Sequence, residues 1–232
     1  MKHMDKKGTG NTIPVVKSEY LSRYEVASAL LSKKKGTLID LGSRDRRLLE
    51  FLDTGGASPS LTYYSADIEH GHDYAVDLER PLPFKDGQFD YVVILDVLEH
   101  LEHIHQAFDE CARIARKELI VSLPNMSTLI HRVHFLLRGS LKTGKYDLYG
   151  DHQGDRHRWL TTYKNAVSFV SARSQENKAR VSRIIGCRDF YSFSPIGVVN
   201  TLYTRLGQIF MGPSLYCNTL VFDIITHEPS SD

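Results

Sequence analysis

The sequence predicts an α/β fold of three layers, with helices on both faces of a mostly parallel sheet and a decorated C-terminal half. Three observations predict it. Four runs read as strands: TLIDL at Thr37–Leu41, LTYYSADI at Leu61–Ile68, FDYVVIL at Phe89–Leu95 and LIVSL at Leu119–Leu123. They alternate with segments of helical periodicity, the pattern of βαβ units. The FDYVVIL run is almost unbroken in its apolar character, as a strand covered on both faces requires. A chain of 232 residues, 41% apolar and 25% charged, also holds enough apolar material for one domain with a core of ordinary size.

The elements follow in order. Residues 1–17 are polar and Lys-, Gly- and Thr-rich and read as a flexible N-terminal segment, leaving 18–228 as a single domain. Ser18 is placed to cap a helix carrying Leu21, Tyr24, Ala27 and Leu31 on one face, with Lys33–Lys35 at its negative end and Gly36 as its stop. The first strand ends in Gly42, and Leu48, Leu49 and Leu52 give a short amphipathic helix after it. Residues 55–60 break the chain before the second strand, which ends at Asp67. Pro81 and Pro83 mark a loop and Asp86-Gly87 a turn. After FDYVVIL, the residues Leu101, Ile104, Phe108, Cys111 and Ala115 form a stripe of 3.6-residue period. Pro124 stops the fourth strand.

The later half is less regular. Met126–Arg138 reads as a helix with apolar and basic sides, expected to pack against the sheet, with contact to a membrane surface as the other option. Residues 139–154 read as a Gly- and Tyr-rich loop. Thr162 caps a helix to about Arg173, Arg180–Ile185 reads as a strand, 195–210 as a helix opened by proline, and Leu220–Thr226 as the last strand.

Composition narrows the function. Lys+Arg 29 against Asp+Glu 28 leaves a formal charge of +1, which argues against a protein that grips nucleic acid through its phosphates. No apolar run reaches the ~18 residues of a membrane span, and the first residues lack the apolar stretch of a secretory signal. Three cysteines far apart, with no CxxC pair, support neither a disulfide framework nor a zinc knuckle, so a cytoplasmic location is expected.

An open parallel sheet binds its ligands beyond the carboxyl ends of its strands. Polar residues fall there after successive strands: Asp40 beside the Gly42 turn, Asp67 where a carboxylate can accept both hydroxyls of a ribose, and Asp77 where one can accept from an exocyclic amine. Asp96, Glu99 and His100 cluster beyond FDYVVIL.

These segments resemble class I S-adenosylmethionine-dependent methyltransferases. TLIDLGSRDRRLLEFL is similar to their first motif of strand, glycine turn and helix; YYSADI resembles the ribose-binding strand end. DLERPLPFKDGQFDYVVILDVLEHL resembles the adenine loop, fourth strand and following helix of the small-molecule branch. LIVSLPNMSTLIHRVHFLLRGSLKTG and NTLVFDII resemble the methionine biosynthesis protein W-like subgroup. The resemblance implies a Rossmann-like fold, S-adenosyl-L-methionine as cofactor, and a cofactor-binding core over 36–124. It implies cofactor contacts at Asp40, Gly42, Ser43, Arg44, Asp67, Ile68, Asp77, Leu78, Leu95 and Asp96.

One departure stands out. The family's first motif reads Asp-x-Gly-x-Gly-x-Gly, and here Arg44 and Arg46 occupy the last two glycine positions. A blocked pocket at these arginines would leave a binding or regulatory module without turnover. That is the alternative to an enzyme acting on a small-molecule or glycan- or lipid-linked acceptor.

Methyl transfer from a sulfonium needs in-line alignment and, for an O or N acceptor, a proton sink. His100 is the expected base. Asp96-x-x-Glu99-His100 also resembles a run that binds a divalent cation in quinone-ring O-methyltransferases. Three residues within five positions do not converge on one point without backbone irregularity, so no metal ligand is assigned. Residues 125–160 are expected to form a substrate lid, with His152, His157 and Trp159 in the acceptor pocket.

Overall fold

The end of each parallel strand is fixed by the helix or loop that follows it, and the sheet is the frame on which the site hangs. The structure, a computed structural model, describes residues 13–17, 22–56, 60–141, 143–146, 156–188 and 209–226. Its strands are β1 (Val15–Lys17), β2 (Gly36–Leu41), β3 (Leu61–Asp67), β4 (Tyr74–Ala75), β5 (Phe89–Leu95), β6 (Ala115–Pro124), β7 (Arg180–Cys187) and β8 (Thr219–Ile225). They form one eight-stranded sheet in the order β1-β7-β8-β6-β5-β2-β3-β4. β8 runs antiparallel to both of its neighbours, and the other pairs are parallel.

Alternate residues of a strand face opposite sides, so a central strand feeds two apolar layers. β5 does this: Val92 and Ile94 join Ile39, Leu41, Phe108, Ile114 and Phe222 on one face. Val93 joins Leu38, Val26, Leu31, Leu48 and Ile120 on the other. Every residue of β5 is buried, which is why its sequence shows no alternation.

Among the described residues the longer helices are α1 (Arg23–Leu31), α2 (Arg47–Thr54), α3 (Ile104–Ile114), α4 (Leu129–Arg138) and α5 (Tyr163–Glu176), beside a short helical turn at Pro213–Tyr216. The α3 stripe is as expected, with Ile104, Ala107, Phe108, Cys111 and Ile114 buried. Thr162 caps α5 through its hydroxyl, which accepts from the Asn165 amide.

Several expectations need correction. The cap of α1 is Ser22, whose hydroxyl accepts from the Glu25 amide while the Glu25 carboxylate accepts from the Ser22 amide. Ser-x-x-Glu is the sequence signature of that reciprocal box, whereas Ser18 lies outside the described residues. The segment 1–17 is not loose throughout, because Val15–Lys17 adds an edge strand in register with Ile184–Gly186. α4 does not pack on the sheet: none of its residues is buried, and Leu136 and Leu137 are 83% and 73% exposed. The buried Asn125 explains its course. Its amide donates to the carbonyls of Ser214 and Cys217, and its oxygen accepts from Ser127 and the Tyr163 amide. This node ties the chain before and after α4 to one point and sends the helix outward. Most of the expected 195–210 helix lies outside the described residues. Among the described residues, no helix is long and apolar enough to cross a membrane.

Candidate functional site

The carboxyl edge of the parallel strands carries two polar arms, one after β2 and β3, the other after β5. On the first arm Asp40 is buried, and one carboxylate oxygen accepts from the Tyr63 hydroxyl on β3 at 2.9 Å. Burial pushes its carboxyl up to about 7. Gly42 follows at φ +73°, and a Cβ there would stand 2.5 Å from a Val97 methyl, so both backbone and space demand glycine. Ser43 is buried, with its hydroxyl 3.0 Å from His72 Nδ1.

Arg44 and Arg46 hold left-handed conformations at φ 39° and 54°, which costs a side-chain-bearing residue roughly 1–2 kcal/mol. Neighbours hold them there. The Arg44 amide donates to the Asp67 carboxylate at 2.9 Å, and the Arg46 guanidinium donates to the Gly71 carbonyl. The second Asp67 oxygen accepts from the Ile68 amide at 2.7 Å, and Ile68 itself is exposed. Asp77 accepts from the Glu79 amide and pairs with Arg80. Leu78 beside it packs on the core. Glu79 then accepts from the amides of Glu102 and His103, joining this loop to the start of α3.

The second arm begins where the buried Leu95 ends β5. Asp96 turns the chain at φ 54°. Its carboxylate accepts from the Ser122 hydroxyl and pairs with Arg23 of α1 at 3.2 Å, both side chains being nearly buried. A single 3-10 turn, Leu98–His100, carries Glu99 into the interior, where it is fully buried.

The segment 156–159 lies against this turn. The amides of Arg158 and Trp159 donate to the Glu99 carbonyl, the Arg158 guanidinium to the His100 carbonyl, and the Trp159 indole N–H to the Leu101 carbonyl at 2.7 Å. His157 is thereby buried, its Nε2 3.9 Å from a Glu99 oxygen, and its ring stands edge-on to His100 at 4.6 Å between centroids. His100 Nδ1 lies 2.9 Å from the Arg156 carbonyl, and His157 Nδ1 lies 3.0 Å from the Tyr146 hydroxyl.

Burial, reinforced by the Asp96 charge, holds the Glu99 carboxyl well above the usual carboxylate range. Burial and the neighbouring Glu99 push the Tyr146 hydroxyl up as well. Neither Glu99 oxygen accepts a hydrogen bond. One ligand atom each from Glu99, His100 and His157 falls within 4.8 Å of the other two.

The structure thus gathers Asp40, Gly42, Ser43, Arg44 and Asp67 on one arm, and Leu95, Asp96, His100, His157 and Trp159 on the other, with Asp77 and Leu78 in the loop that meets α3. His152 lies outside the described residues. The cluster differs from the run seen in the sequence: Asp96 is engaged by Arg23 and Ser122, and His157 stands where Asp96 was expected. Sequence reading placed Glu99 only within the Asp96–Glu99–His100 run, four residues past the end of the FDYVVIL strand, and assigned the role of base to His100. No local signal links Glu99 to His157 or Tyr146.

Residues 56–121 match a protein family described as a methyltransferase domain. No curated protein matches the chain. Among solved structures, a candidate methyltransferase from Bacillus halodurans C-125 aligns with a TM-score of 0.56 at 10% identity, over 89% of this chain and 99% of that one. Magnesium protoporphyrin IX methyltransferase from Synechocystis PCC 6803, with bound SAH, gives 0.53 at 17% identity over 87% and 81%. A SAM-dependent methyltransferase from Archaeoglobus fulgidus gives 0.51 at 13% identity over 87% and 93%. At these identities the likeness is one of fold, and it extends over most of the chain.

Proposed function

We propose that the chain is a class I S-adenosylmethionine-dependent methyltransferase, in keeping with the methyltransferase-domain match and the shared fold, and that it moves the sulfonium methyl to a small-molecule or glycan- or lipid-linked acceptor held at the Glu99–His100–His157 end of the sheet edge. The observation that carries this reading is the order along that edge. A glycine turn, the Asp67 carboxylate and the Asp77 loop stand in sequence on one arm, and a buried polar cluster stands on the next.

In this reading Asp67 accepts from the ribose hydroxyls and Asp77 from the adenine amine. Ile68 and Leu78 flank the base. Gly42, Ser43 and Arg44 line the methionine end, with Asp40 fixing the turn from behind and Leu95 and Asp96 closing the floor. The acceptor meets His100, His157 and Trp159. His100, tied at Nδ1 to a carbonyl, keeps Nε2 as the atom that takes the acceptor's proton. The exposed apolar stripe of α4, with Arg132 and Arg138 beside it, favours a lipid-linked acceptor and contact with a membrane surface. The LIVSLPN and LLRGSLKTG segments favour the methionine biosynthesis protein W-like branch.

The alternative of a fold that has lost turnover is not favoured. The Arg46 guanidinium is turned onto the Gly71 carbonyl, and the Arg44 side chain is exposed. Calorimetric titration with S-adenosylmethionine and S-adenosylhomocysteine tests the reading. Binding in the micromolar range, about −8 kcal/mol, is expected; folded protein that binds neither ligand rejects it.

A further inference from the structure

We propose that α4 is a docking element for an anionic lipid surface, lying in the plane of the interface with its apolar side among the acyl chains. Its sequence, LIHRVHFLLR, places Leu129, Ile130, Val133, Leu136 and Leu137 at the i, i+3, i+4, i+7 spacing of one helix side. His131, His134 and Arg138 fall on the other. A helix packed on a protein core turns its apolar side inward, and α4 does the reverse. Val133, Leu136 and Leu137 are 45%, 83% and 73% exposed, whereas His131 and His134 are only partly exposed.

This orientation is fixed at both ends of the helix. The Arg132 guanidinium donates to the Ser127 carbonyl at 2.8 Å, and His134 Nδ1 lies 2.9 Å from the Ser140 carbonyl. Gly139 closes the helix at φ 67°, its amide donating to the Phe135 carbonyl. The Asn125 node fixes the point of departure, at the carboxyl end of β6 and so on the sheet edge that carries the site. Further apolar groups stand nearby. Phe135 is 56% exposed, and Ile209 and Phe210, at 72% and 78%, lead into the turn Pro213–Tyr216, which sits beside α4. Apolar groups collected in this way on a surface mark a place of contact.

Charge selects what that contact is. The chain as a whole is balanced at a formal +1, yet residues 119–146 include no Asp or Glu, while Arg132, Arg138, Lys142 and Lys145 all fall among them. Basic residues flanking an apolar helix side suit an anionic membrane surface. A second copy of the chain fits less well. Two-fold pairing through α4 gathers the arginines of both helices at one interface, with no acidic residue in the segment to answer them. The helix is also too short to span a bilayer, since its 10 residues rise about 15 Å against a hydrocarbon core of ~30 Å. It therefore lies along the interface.

The docking stands on α4 itself. Only its purpose rests on the methyltransferase reading: it holds the His100–His157 end of the sheet edge at the surface where a lipid-linked acceptor is presented.

Cosedimentation of the full chain with vesicles tests the proposal. Vesicles of equal parts phosphatidylglycerol and phosphatidylcholine are compared with phosphatidylcholine alone. Half-maximal binding to the anionic vesicles is expected below about 1 mM lipid, and binding to phosphatidylcholine alone should be about 10-fold weaker or more. Leu136→Glu and Leu137→Glu should each weaken binding about 10-fold or more, with circular dichroism unchanged because both side chains are exposed. Leu136→Phe should bind as the parent does. Arg138→Gln should weaken binding about 5-fold on anionic vesicles only. The proposal is overturned if folded protein does not bind the anionic vesicles, if it binds both kinds equally, or if the two glutamate variants bind as the parent does. A concentration-dependent dimer formed without lipid and abolished by Leu136→Glu assigns the face to a second copy and overturns it too. Calorimetry with S-adenosylmethionine separates the two readings. Cofactor binding without vesicle binding rejects only the docking, and vesicle binding without cofactor binding rejects only the methyltransferase.

Discussion

Where β2 gives way to the Gly42 turn, the two acidic groups are answered between neighbouring strands and their ends. Tyr63 of β3 reaches Asp40, and Asp67 at the end of β3 receives the Arg44 amide. Where β5 gives way to Leu98–His100, the partners arrive from far along the chain, through Tyr146 and the segment 156–159. The β2–β3 contacts of the first arm form once two adjacent parallel strands pair. The second exists only after the later half has docked. An edge built this way can keep one ligand constant while the other varies, because Tyr146 and residues 156–159 meet the second arm, whereas the first is held by contacts between β2 and β3.

The comparison can be broken most severely at the point where the arms touch. Gly42→Ala places a methyl against Val97 in a left-handed conformation. We expect a loss of about 2–4 kcal/mol from strain and overpacking together, a fall in Tm of roughly 5–15 °C. Adding Val97→Ala to that variant should restore part of the loss. An equal loss with and without Val97→Ala would show that the contact does not couple the arms.

Asp40 gives the next largest effect. Burial holds its carboxyl at about 7 against an ordinary 3.8, so the folded chain keeps a proton that the unfolded chain gives up. This contribution to stability is full below about pH 4 and is lost as pH rises toward 7, at up to about 1.4 kcal/mol per pH unit. Urea midpoints measured across that range check it, and Asp40→Asn should flatten the profile.

Asp67→Ala sharpens the division of labour. It should weaken S-adenosylmethionine binding by about 1.5–3 kcal/mol, whereas Glu99→Gln should leave that affinity within about twofold and lower turnover. Calorimetry on both variants reads the difference, and equal losses would merge the two arms into one site.

The smallest effect is expected at Arg44 and Arg46. Replacing both by glycine removes two left-handed side-chain-bearing residues, with a net gain of no more than about 1 kcal/mol because glycine also loosens the unfolded chain. S-adenosylmethionine affinity should change by less than about twofold. A large gain would mean that the arginines obstruct the pocket after all.

The β2–β3 arm was legible because its signals are local: an apolar run, a glycine, and an acidic residue where the next run stops. The core was legible for the same reason, in the periods of β5 and α3. Three features were not. β4 is two residues long and carries no period of its own. α4 has the apolar spacing of a packed helix, yet the Asn125 node, a tertiary feature, turns it outward. The approach of His157 to Glu99 is set by bonds between segments more than fifty residues apart, the Arg158 and Trp159 amides and side chains meeting the carbonyls of 99–101, and no local pattern announces such a pairing.

The placement of β8 sets a schedule for synthesis. β8 lies between β6 and β7, and β7 with β1 meets the rest of the sheet only across it. A ribosome completes Phe89–Leu95 and its parallel neighbours long before Thr219–Ile225 emerges. Through that interval, about 5–20 seconds at roughly 5–20 residues per second, the outer edge of β6 is bare, and once β7 has emerged so is the edge of β7 that faces away from β1. A nascent chain held in this state offers open strand edges to any other chain nearby, and insertion of one late antiparallel strand closes them in a single event.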